Sequence, residues 1–510
     1  MELFSLQSFF ISILSILFFY LSLCFFTISN KPGFKTYPLL GALPSFISNR
    51  HRFLEWSTQV LRACPTNTAV FCRPGRIHGV LTANPDNIQH ILKTKFENYP
   101  KGERFISFLQ DFLGTGIFNS DGDLWKLQRK TASYEFNTKS LRNFIIENVT
   151  VETQTRLIPI LSKAAEKNNI LDLQDILECF AFDNVCKLAF NVDPECLSGD
   201  GPAGNASFMR AFEDAAVLSS GRFMSLFPML WKVQKILNVG AEGRLKQSIA
   251  TVHKFADEII RSRMEEKNGS RKGEDLLSRF IATMVLNCEE ASPEFLRDIV
   301  ISFILAGRDT TSAALSWFFW ILSSRIDVKE KVMKEIETVR SRSGDKMAVF
   351  GFEELREMQY LHAAITEAMR LYPPVPVDTK ACLNDDVLPD GTRMKKDWFI
   401  SYHTYAMGRM ESVWGEDCNE YKPERWLENE EGEGGVGVCR SESPFKFPVF
   451  HAGPRMCLGK EMAYIQMKSI AASVMERFEV VAVEKEKIPE HVLSLTLRMK
   501  NGLPVRVQVR

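Results

Sequence analysis

Apolar residues recur at three- and four-residue spacing over six long segments, a periodicity that predicts amphipathic helices. These segments are 136–161, 173–190, 245–266, 293–324, 328–341 and 352–371. Pieces rich in β-branched and aromatic residues predict short strands, and they are 67–81, 382–400 and 492–509. We therefore expect a mainly α fold with a small β-sheet region set to one side.

Residues 1–30 differ in character from the rest of the chain. The stretch 4–28 carries no charge and is rich in Phe, Leu and Ile, enough to span a bilayer core of about 30 Å as one helix. A cleaved signal peptide is the alternative, but no basic segment precedes the run, which is also too long for a signal. Glu2 precedes the run and Lys31 and Lys35 follow it, which places the body in the cytosol. We expect a single-pass membrane anchor over residues 1–30.

Proline and glycine are concentrated directly after this stretch. So many helix breakers cannot continue the preceding helix and predict a stiff Pro-rich hinge over residues 31–46. The breakers are Pro32, Gly33, Pro38, Gly41 and Pro44. Residues 47–510 contain no internal repeat and no linker, so we expect them to form one domain.

Charge and cysteine content exclude some classes of partner. The 63 basic and 63 acidic residues cancel, which gives no support to a nucleic-acid partner. The 11 cysteines form no CxxC pairs and lack the density of a small secreted domain, so we expect reduced thiols. A cytosolic body also predicts that the sequons at Asn148, Asn205 and Asn268 stay unglycosylated.

Cys457 lies in the sequence Phe-His-Ala-Gly-Pro-Arg-Met-Cys-Leu-Gly, residues 450–459. Because Gly453 and Pro454 precede it and Gly459 follows it, the cysteine can lie on a turn whose backbone N–H groups point at the sulfur. Such donors stabilise a thiolate, the form of cysteine that binds haem iron. An isolated cysteine in a loop is more often a buried structural residue, and this segment alone leaves both interpretations open.

A second unusual segment is Ala-Gly-Arg-Asp-Thr-Thr at 306–311, inside the apolar helix predicted over 293–324. Gly307 lowers helix stability, and the Thr310 hydroxyl can donate to the carbonyl of Ala306, which loosens the hydrogen-bond ladder. A loosened turn leaves room for a ligand or a water molecule. A mildly kinked core helix is the alternative.

Two further pairs are spaced by one helical turn. Glu367 and Arg370 lie three residues apart on a predicted helix, and such a pair is most often solvated. Trp125 and Arg129 lie four residues apart, and an arginine over an exposed indole is the ordinary interpretation. Neither pair indicates a site by itself.

In combination, these segments resemble the cytochrome P-450 superfamily. Residues 450–459 match Phe-x-x-Gly-x-Arg-x-Cys-x-Gly at every fixed position, and 306–311 match Ala-Gly-x-Asp-Thr-Thr. Shorter matches are Trp-x-x-x-Arg at 125–129, Glu-x-x-Arg at 367–370 and Pro-Glu-Arg at 423–425. The resemblance extends from the hinge to Val509. It implies the cytochrome P-450 fold, with residues 47–510 forming a haem-thiolate monooxygenase domain.

The resemblance implies roles for residues around the haem. Haem b (iron protoporphyrin IX) would be held by Cys457 as the axial ligand of the iron, with Phe450 packed beside that ligand. Trp125, Arg129 and Arg455 would meet the haem propionates, a task that suits the planar fork of arginine.

Two further sets of residues receive roles from the same resemblance. Asp309 and Thr310 would relay protons to dioxygen, because proton delivery needs a hydroxyl with an acid behind it. Glu367, Arg370 and Arg425 would form a buried polar network that supports the haem-ligand side.

Partners and location are implied as well. Electrons would come from NADPH through an NADPH–cytochrome reductase, and the other reactants would be O2 and a lipid substrate. The anchor would cross the endoplasmic reticulum membrane once, with the catalytic domain in the cytosol.

Finer segments are similar to the plant branch of fatty-acid ω-hydroxylases, and these are residues 112–122, 306–320 and 405–414. Similarity to the group that includes jasmonoyl-isoleucine ω-hydroxylases is carried by residues 133–136, 148–152 and 493–498. It implies terminal hydroxylation of a carboxylate-bearing lipid, either a fatty acid or jasmonoyl-isoleucine.

Three other activities stay open. Some related plant enzymes hydroxylate steroid side chains, some haem-thiolate enzymes convert fatty-acid hydroperoxides without a reductase, and a haem-binding sensor would show no turnover. The hydroperoxide enzymes do not need Asp309 and Thr310, so the presence of both favours a monooxygenase.

A pocket for an alkyl chain should be mostly apolar, with few polar groups. By analogy with the family, its walls would include Phe105, Phe118, Val377 and Leu497. A substrate carboxylate would need a basic partner, because a buried unpaired charge is costly. The candidates are Arg104 and Arg222, followed by Lys380 and Arg498.

Overall fold

The computed structural model describes residues 32–510 apart from short gaps, together with residues 12, 14–16, 18 and 19. The gaps are 76, 137–138, 199–200, 203–204, 226–228, 267–274, 287–291, 344–348, 429–436 and 493. The predicted anchor therefore lies almost wholly outside the described residues. Among the helices that are described, none has the length and apolar character needed to cross a bilayer.

Helices form most of the described chain, which confirms the mainly α expectation. In chain order they are Leu43–Ser48, Phe53–Ala63, Pro85–Gln89, Gly102–Leu113, Gly122–Phe136, Lys139–Glu152, Ile158–Lys167, Leu173–Phe190, Ala206–Gly221, Leu230–Leu237, Gly240–Glu266, Leu276–Leu286, Pro293–Ile304, Thr310–Ser324, Ile326–Ser343, Phe352–Glu357, Gln359–Leu371, Thr404–Met407, Glu411–Trp414 and Lys460–Arg477. Wider π turns span His90–Thr94, Thr153–Leu157 and Leu305–Asp309.

The observed helix bounds agree best with the predicted ones where a local capping residue marks the end of the helix. Leu173–Phe190 is the predicted segment residue for residue, and the Asp172 side chain caps it by accepting backbone hydrogen bonds. The helix predicted over 136–161 is observed with shifted bounds, since helical backbone continues from Lys139 to Lys167 through the π turn Thr153–Leu157. Pro159 lacks a backbone N–H and follows directly after this π turn, where the regular hydrogen-bond ladder is interrupted.

The largest sheet has four strands, in the order Thr68–Arg73, Ile77–Thr82, Phe399–Tyr402 and Asp378–Ala381. The two middle strands are parallel, and each outer strand is antiparallel to its neighbour. A three-stranded sheet has the order Phe478–Ala482, Pro504–Val509 and Leu171–Asp172. Two-residue ladders pair Leu197–Ser198 with Gly201–Pro202, Asp386–Val387 with Arg393–Met394, and Leu427–Glu428 with Val438–Cys439. The small β region is confirmed, although 382–400 contains mostly turns between longer strands.

The Pro-rich segment after residue 31 packs on the four-stranded sheet. Gly41 has a φ of +54°, and an added Cβ would lie 2.3 Å from the carbonyl oxygen of Cys72, so only glycine fits. The Phe34 ring lies 5.2 Å from the Trp56 ring and 5.3 Å from the Phe71 ring. These contacts fix the segment to the body of the protein.

The central helix, residues 293–324 including its π turn, is mostly buried. It starts where the sequence predicts, because the Ser292 hydroxyl accepts a hydrogen bond from the backbone N–H of Phe295 at 3.2 Å. Near its other end, the Trp317 indole stacks on Tyr372 at 4.1 Å and donates to the carbonyl of Leu497 at 2.8 Å. These contacts hold the chain around Leu497 against the helix.

The expectation that all cysteines are reduced is wrong for one pair. Cys179 and Cys196 form a disulfide with their Cα atoms 5.2 Å apart. Cys179 and Asp183 are one turn apart on the helix Leu173–Phe190. The Asp183 carboxylate accepts a hydrogen bond from the backbone N–H of Cys196 at 2.9 Å, which brings this cysteine onto the helix. Nothing in the spacing of the cysteines reveals that contact.

Glu367 and Arg370 lie in the protein interior and not on its surface. Neither side chain is exposed, and two Arg370 nitrogens donate to Glu367 at 2.7 Å each. The Trp426 indole donates to Glu367 at 2.8 Å, and Arg425 lies 3.4 Å from it. The structure thus brings together the three charged residues that the sequence assigned to a buried network. Removing one partner of such a pair costs about 3–5 kcal/mol.

Candidate active site

Cys457 lies on the loop that precedes the helix Lys460–Arg477. Its backbone N–H donates to the carbonyl of Phe450 at 2.8 Å, which closes the loop. Burial raises the pKa of the Cys457 thiol, whereas a hydrogen bond from the backbone N–H of Gly459 and the charge of Arg129 lower it. A backbone donor to the sulfur is therefore present, as the sequence of the loop predicts.

Gly453 explains why the loop needs a glycine at its entry. Its φ is +65°, and an added Cβ would lie 2.0 Å from the carbonyl oxygen of Leu92. Any side chain at this position would push the cysteine loop away from the chain that it packs on.

A cavity of about 290 Å³, which we call the thiol cavity, lies in front of the Cys457 side chain. The central helix lines the cavity with Ala306, Gly307 and Thr310. The remaining wall is mostly apolar and includes Val449, Phe450, Leu458, Met462 and Ala463.

The central helix is widened where it passes this cavity. Residues Leu305–Asp309 form a π turn, and the Thr310 hydroxyl donates to the carbonyl of Ala306 at 2.6 Å. The predicted back-bond of Thr310 is therefore confirmed. An added Cβ on Gly307 would lie 2.5 Å from a methyl group of Val185, so the glycine allows close packing there.

Asp309 is largely enclosed, with 12% of its side chain exposed, and belongs to a chain of alternating charges. Arg308 donates to Asp309 at 2.9 Å and to Glu178 at 2.9 Å. Arg498 then donates to Glu178 at 2.6 Å and to Glu213 at 2.9 Å. Burial raises the pKa of Asp309 to about 6, although the charge of Arg308 lowers it. Glu213 is 31% exposed, so the chain of ion pairs reaches solvent.

A small cavity of about 20 Å³ follows the same charges. It is lined by Glu178, Glu213, Arg308, Asp309 and Arg498. A cavity of that size in a polar setting has room for a water molecule. Glu178 could not be recognised from the sequence. It lies inside an apolar helix, and its partners Arg308 and Arg498 are far away in the chain.

Arg129 and Arg455 line the thiol cavity, and Trp125 lies behind them in contact with Arg455. The Arg455 guanidinium carbon lies 4.3 Å from the centre of the Trp125 ring, and Arg455 donates to Asp121 at 2.6 Å. Arg129 donates to the carbonyl of Met456, next to the cysteine. The Nε of Arg455 is buried and has no hydrogen-bond partner among the described residues.

A charged cluster around Asp378 lies beside these arginines. The sequence did not predict that its members come together. Lys101 lies 2.7 Å, Lys380 3.2 Å and His451 3.5 Å from the Asp378 carboxylate. Burial raises the pKa of Asp378, but the charges of Lys101 and Lys380 outweigh it and hold the pKa well below its usual range. Burial lowers the pKa of Lys380 to about 7.

One signal could have found part of this cluster. Asp378 and Lys380 alternate on the strand Asp378–Ala381, so their side chains lie on the same face of the sheet. Lys101 is distant in the sequence and carries no comparable pattern.

The residues around the thiol cavity fit a haem. The lining offers a thiol that can bind iron, small residues and Thr310 from the central helix, and mostly apolar side chains elsewhere. Arg129 and Arg455 line the cavity and would pair with the two propionates of a haem, and the buried Arg455 Nε still has a hydrogen bond to give. Cys457, Trp125, Arg129 and Arg455 are thus the residues that would hold it.

A second cavity of about 260 Å³, which we call the outer cavity, adjoins the first. The two share Phe118, Ala306, Thr310, Val375 and His451 as lining residues. Three predicted wall residues, Phe105, Phe118 and Val377, line the outer cavity. Arg104 lines it as well.

Two predicted substrate residues do not line either of these cavities. Leu497 is 1% exposed and its carbonyl accepts a hydrogen bond from Trp317, while its neighbours Leu495 and Thr496 line the outer cavity instead. Arg222 donates to Glu242 at 2.6 Å and to Asp111 at 2.7 Å, so its charge is already neutralised inside the protein. The structure leaves Arg104 as the basic residue of the predicted pair that faces the cavity.

Comparison with known proteins bears on these observations. The family model for cytochrome P450 matches residues 32–503. Cytochrome P450 CYP94D108 of Paris polyphylla is 55% identical over 469 residues, which are 92% of this chain and 90% of that protein. Cytochrome P450 94A1 of Vicia sativa is 47% identical, covering 93% of this chain and 90% of the relative. Cytochrome P450 94B3 of Arabidopsis thaliana is 45% identical, covering 94% and 92%.

These matches extend over nearly the whole body and confirm the resemblance found in the motifs. The fold, the thiol cavity with Cys457 on its wall, and the widened central helix agree with it. The chain therefore belongs to the cytochrome P450 family, within its plant group of cytochromes P450 94, and is a monooxygenase of the haem-thiolate type.

Proposed function

We propose that this protein binds haem b and hydroxylates the terminal carbon of a carboxylate-bearing lipid, a fatty acid or jasmonoyl-isoleucine. Its electrons come from NADPH through an NADPH–cytochrome reductase, and its oxygen atom comes from O2. One observation carries the proposal. The thiol cavity and the outer cavity adjoin at Ala306 and Thr310, and together they lead from Cys457 along apolar walls to basic side chains.

The residues of the thiol cavity have distinct tasks in this proposal. Cys457 binds the haem iron, Phe450 packs beside it, and Trp125, Arg129 and Arg455 hold the propionates. When bound, the haem supplies the reductive activation of dioxygen. Thr310 holds a hydroxyl at the central helix, and Asp309 exchanges protons with solvent along the ion pairs of Arg308 and Glu178.

Terminal hydroxylation requires positional control. The C–H bonds of a terminal methyl group are stronger than those of the neighbouring methylenes, so the protein must hold the chain end near the haem by geometry. Phe118 and Val375 line both cavities and so lie where the two adjoin. A substrate extended through this passage presents its end, and not its middle, to the reacting centre.

Two alternatives fit fewer of these features. A steroid has no carboxylate to occupy the basic end of the outer cavity. A hydroperoxide-converting enzyme has no need for the Asp309 relay, whose ion pairs reach solvent.

We further propose that residues 1–30 anchor the protein in the endoplasmic reticulum membrane, with the catalytic domain in the cytosol. The uncharged stretch 4–28 supports an anchor, and the lysines that follow it support the orientation. Residues 31–46 would act as the hinge, and their contacts with the four-stranded sheet would transmit the tilt of the anchor to the body.

Incubation with a substrate panel tests the proposal. Microsomes that contain the protein and a reductase are supplied with NADPH and with fatty acids, jasmonoyl-isoleucine or sterols, and product masses and positions are determined. We expect one added oxygen at the chain end of a carboxylate-bearing lipid, only when NADPH is present. Conversion of hydroperoxides without NADPH, or attack only on sterols, would contradict it.

A further inference from the structure

Two arginines, Arg73 buried and Arg104 half-buried, face the outer cavity without a carboxylate partner. The side chains of Arg73 and Arg104 form no hydrogen bond and no ion pair with any residue that the structure describes. Arg73 is 7% exposed, and its Nε is buried without a partner. Buried guanidinium groups are normally paired, because an unpaired buried charge is strongly disfavoured.

Both guanidinium groups lie close to aromatic rings. The guanidinium carbon of Arg104 lies 4.1 Å from the centre of the Phe399 ring, and that of Arg73 lies 5.4 Å from the Phe46 ring. The Phe71 ring contacts both of these rings, with its centre 4.9 Å from that of Phe46 and 5.7 Å from that of Phe399. Contact with an aromatic ring uses none of the hydrogen-bonding capacity of a guanidinium group, so its N–H groups stay free for a ligand.

The other charges of the outer cavity do not neutralise these arginines. Among the lining residues that the structure describes, Asp378 is the only carboxylate, and it is occupied by Lys101 at 2.7 Å and Lys380 at 3.2 Å. Burial lowers the pKa of Arg73, and burial together with the charge of Arg73 lowers that of Arg104 to about 10. Both shifts are those of cations that lack an anion.

The position of the arginines relative to Cys457 also matters. Arg73 and Arg104 line the outer cavity and not the thiol cavity, whereas Cys457 lines the thiol cavity alone. The residues shared by the two cavities lie between them. A group bound by both arginines is therefore held at the end of the passage that is remote from the thiol.

We propose that Arg73 and Arg104 together bind the carboxylate of the substrate, as a two-arginine site at the outer end of the cavity. This inference rests on the proposed function and adds the residues that select its substrate class. A carboxylate offers two acceptor oxygens, one for each guanidinium edge, and the apolar remainder of the molecule extends towards Thr310. Arg104 was a candidate from the sequence, whereas Arg73 was not.

The test compares ligand binding by four purified, haem-containing proteins. They are the unaltered protein, Arg73→Met, Arg104→Met and the control Arg356→Met, whose arginine is 71% exposed and distant from the cavity. Each is titrated with dodecanoic acid and with its methyl ester, and binding is followed by the change in haem absorbance. The ester keeps the alkyl chain but lacks the charge.

We expect each cavity variant to bind the acid about tenfold to a hundredfold more weakly, the range for losing a charged hydrogen bond. The ester should bind all four proteins alike. The ratio of terminal to internal product should also fall in both cavity variants and not in the control. An effect of one arginine alone, or an equal loss for acid and ester, would overturn the two-arginine site.

The measurement separates this inference from the proposed function. Equal binding of acid and ester by the unaltered protein would overturn the site, while hydroxylation of either ligand would leave the function standing. Failure to hydroxylate any lipid would overturn the function, while the preference for the acid could still be measured. If a Met variant yields no haem-containing protein, Arg73→Lys or Arg104→Lys replaces it. The lysine variant should lose part of the preference for the acid over the ester, because lysine lacks the planar pair of donors of a guanidinium group.

Discussion

Arg308 donates a hydrogen bond of 2.9 Å to Asp309, its neighbour in the chain, inside the π turn of the central helix. Its other terminal nitrogen holds Glu178 at the same distance, 2.9 Å. Burial nevertheless raises the pKa of Asp309 to about 6. Asp309 can therefore exchange a proton near neutral pH, which is the property that a proton relay requires.

The coupling of NADPH consumption to product should fall as the pH rises through about 6. A carboxyl with a raised pKa keeps its proton below that pH and loses it above, so its capacity as a donor is greatest on the acid side. Product formed per NADPH consumed is measured across this range. Asp309→Asn cannot titrate and should give a flat profile; the same slope in this variant would assign the titration to another group.

Thr310→Ala should bind substrate with unchanged affinity yet release more hydrogen peroxide per NADPH consumed. The hydroxyl is held at 2.6 Å from the carbonyl of Ala306, facing both cavities, and alanine removes it without adding bulk. Peroxide and hydroxylated product are quantified together. Thr310→Ser keeps a hydroxyl and serves as the control, and coupling as efficient in the alanine variant as in the serine variant would remove Thr310 from the mechanism.

Arg370→Ala should lower the free energy of unfolding by about 3–5 kcal/mol, because it leaves the buried Glu367 without its partner. Thermal unfolding of the haem-containing protein measures the effect. Arg356→Ala is the matched control, since its ion pair with Glu353 at 3.2 Å is exposed and should contribute about 0–1 kcal/mol. Similar losses in both variants would contradict the structural role of the buried network.

Deleting residues 1–30 should move the protein from the tightly bound membrane fraction to a loosely bound or soluble one. No described helix is long and apolar enough to cross a bilayer, and the stretch 4–28 supplies the long uncharged run. Fractionation followed by an alkaline wash measures the change. Retention of the shortened protein after the wash would mean that other surfaces insert into the membrane.

Local signals predicted much of the fold and of the thiol cavity. The bounds of Leu173–Phe190 could be predicted because an Asp cap and an apolar run are both local features. The back-bond of Thr310 was likewise predictable, since donor and acceptor are four residues apart on one helix.

Contacts between distant segments were not predictable in this way. Arg222 and Arg73 look alike in the sequence, yet Arg222 meets Glu242 and Asp111, whereas Arg73 meets no carboxylate among the described residues. The disulfide of Cys179 and Cys196 depends in the same way on a fold-dependent contact. Which charges are neutralised is decided by the packing of elements that lie far apart in the chain.

The most direct test of the central claim is the absorption spectrum of Cys457→Ser. Cys457 is proposed as the ligand of the haem iron, and a neutral hydroxyl is a poor donor to that metal. The reduced, carbon monoxide-treated protein is compared with the unaltered one. We expect the variant to lack the Soret band of a thiolate-bound ferrous carbonyl complex, whereas an unchanged band would show that Cys457 is not the ligand.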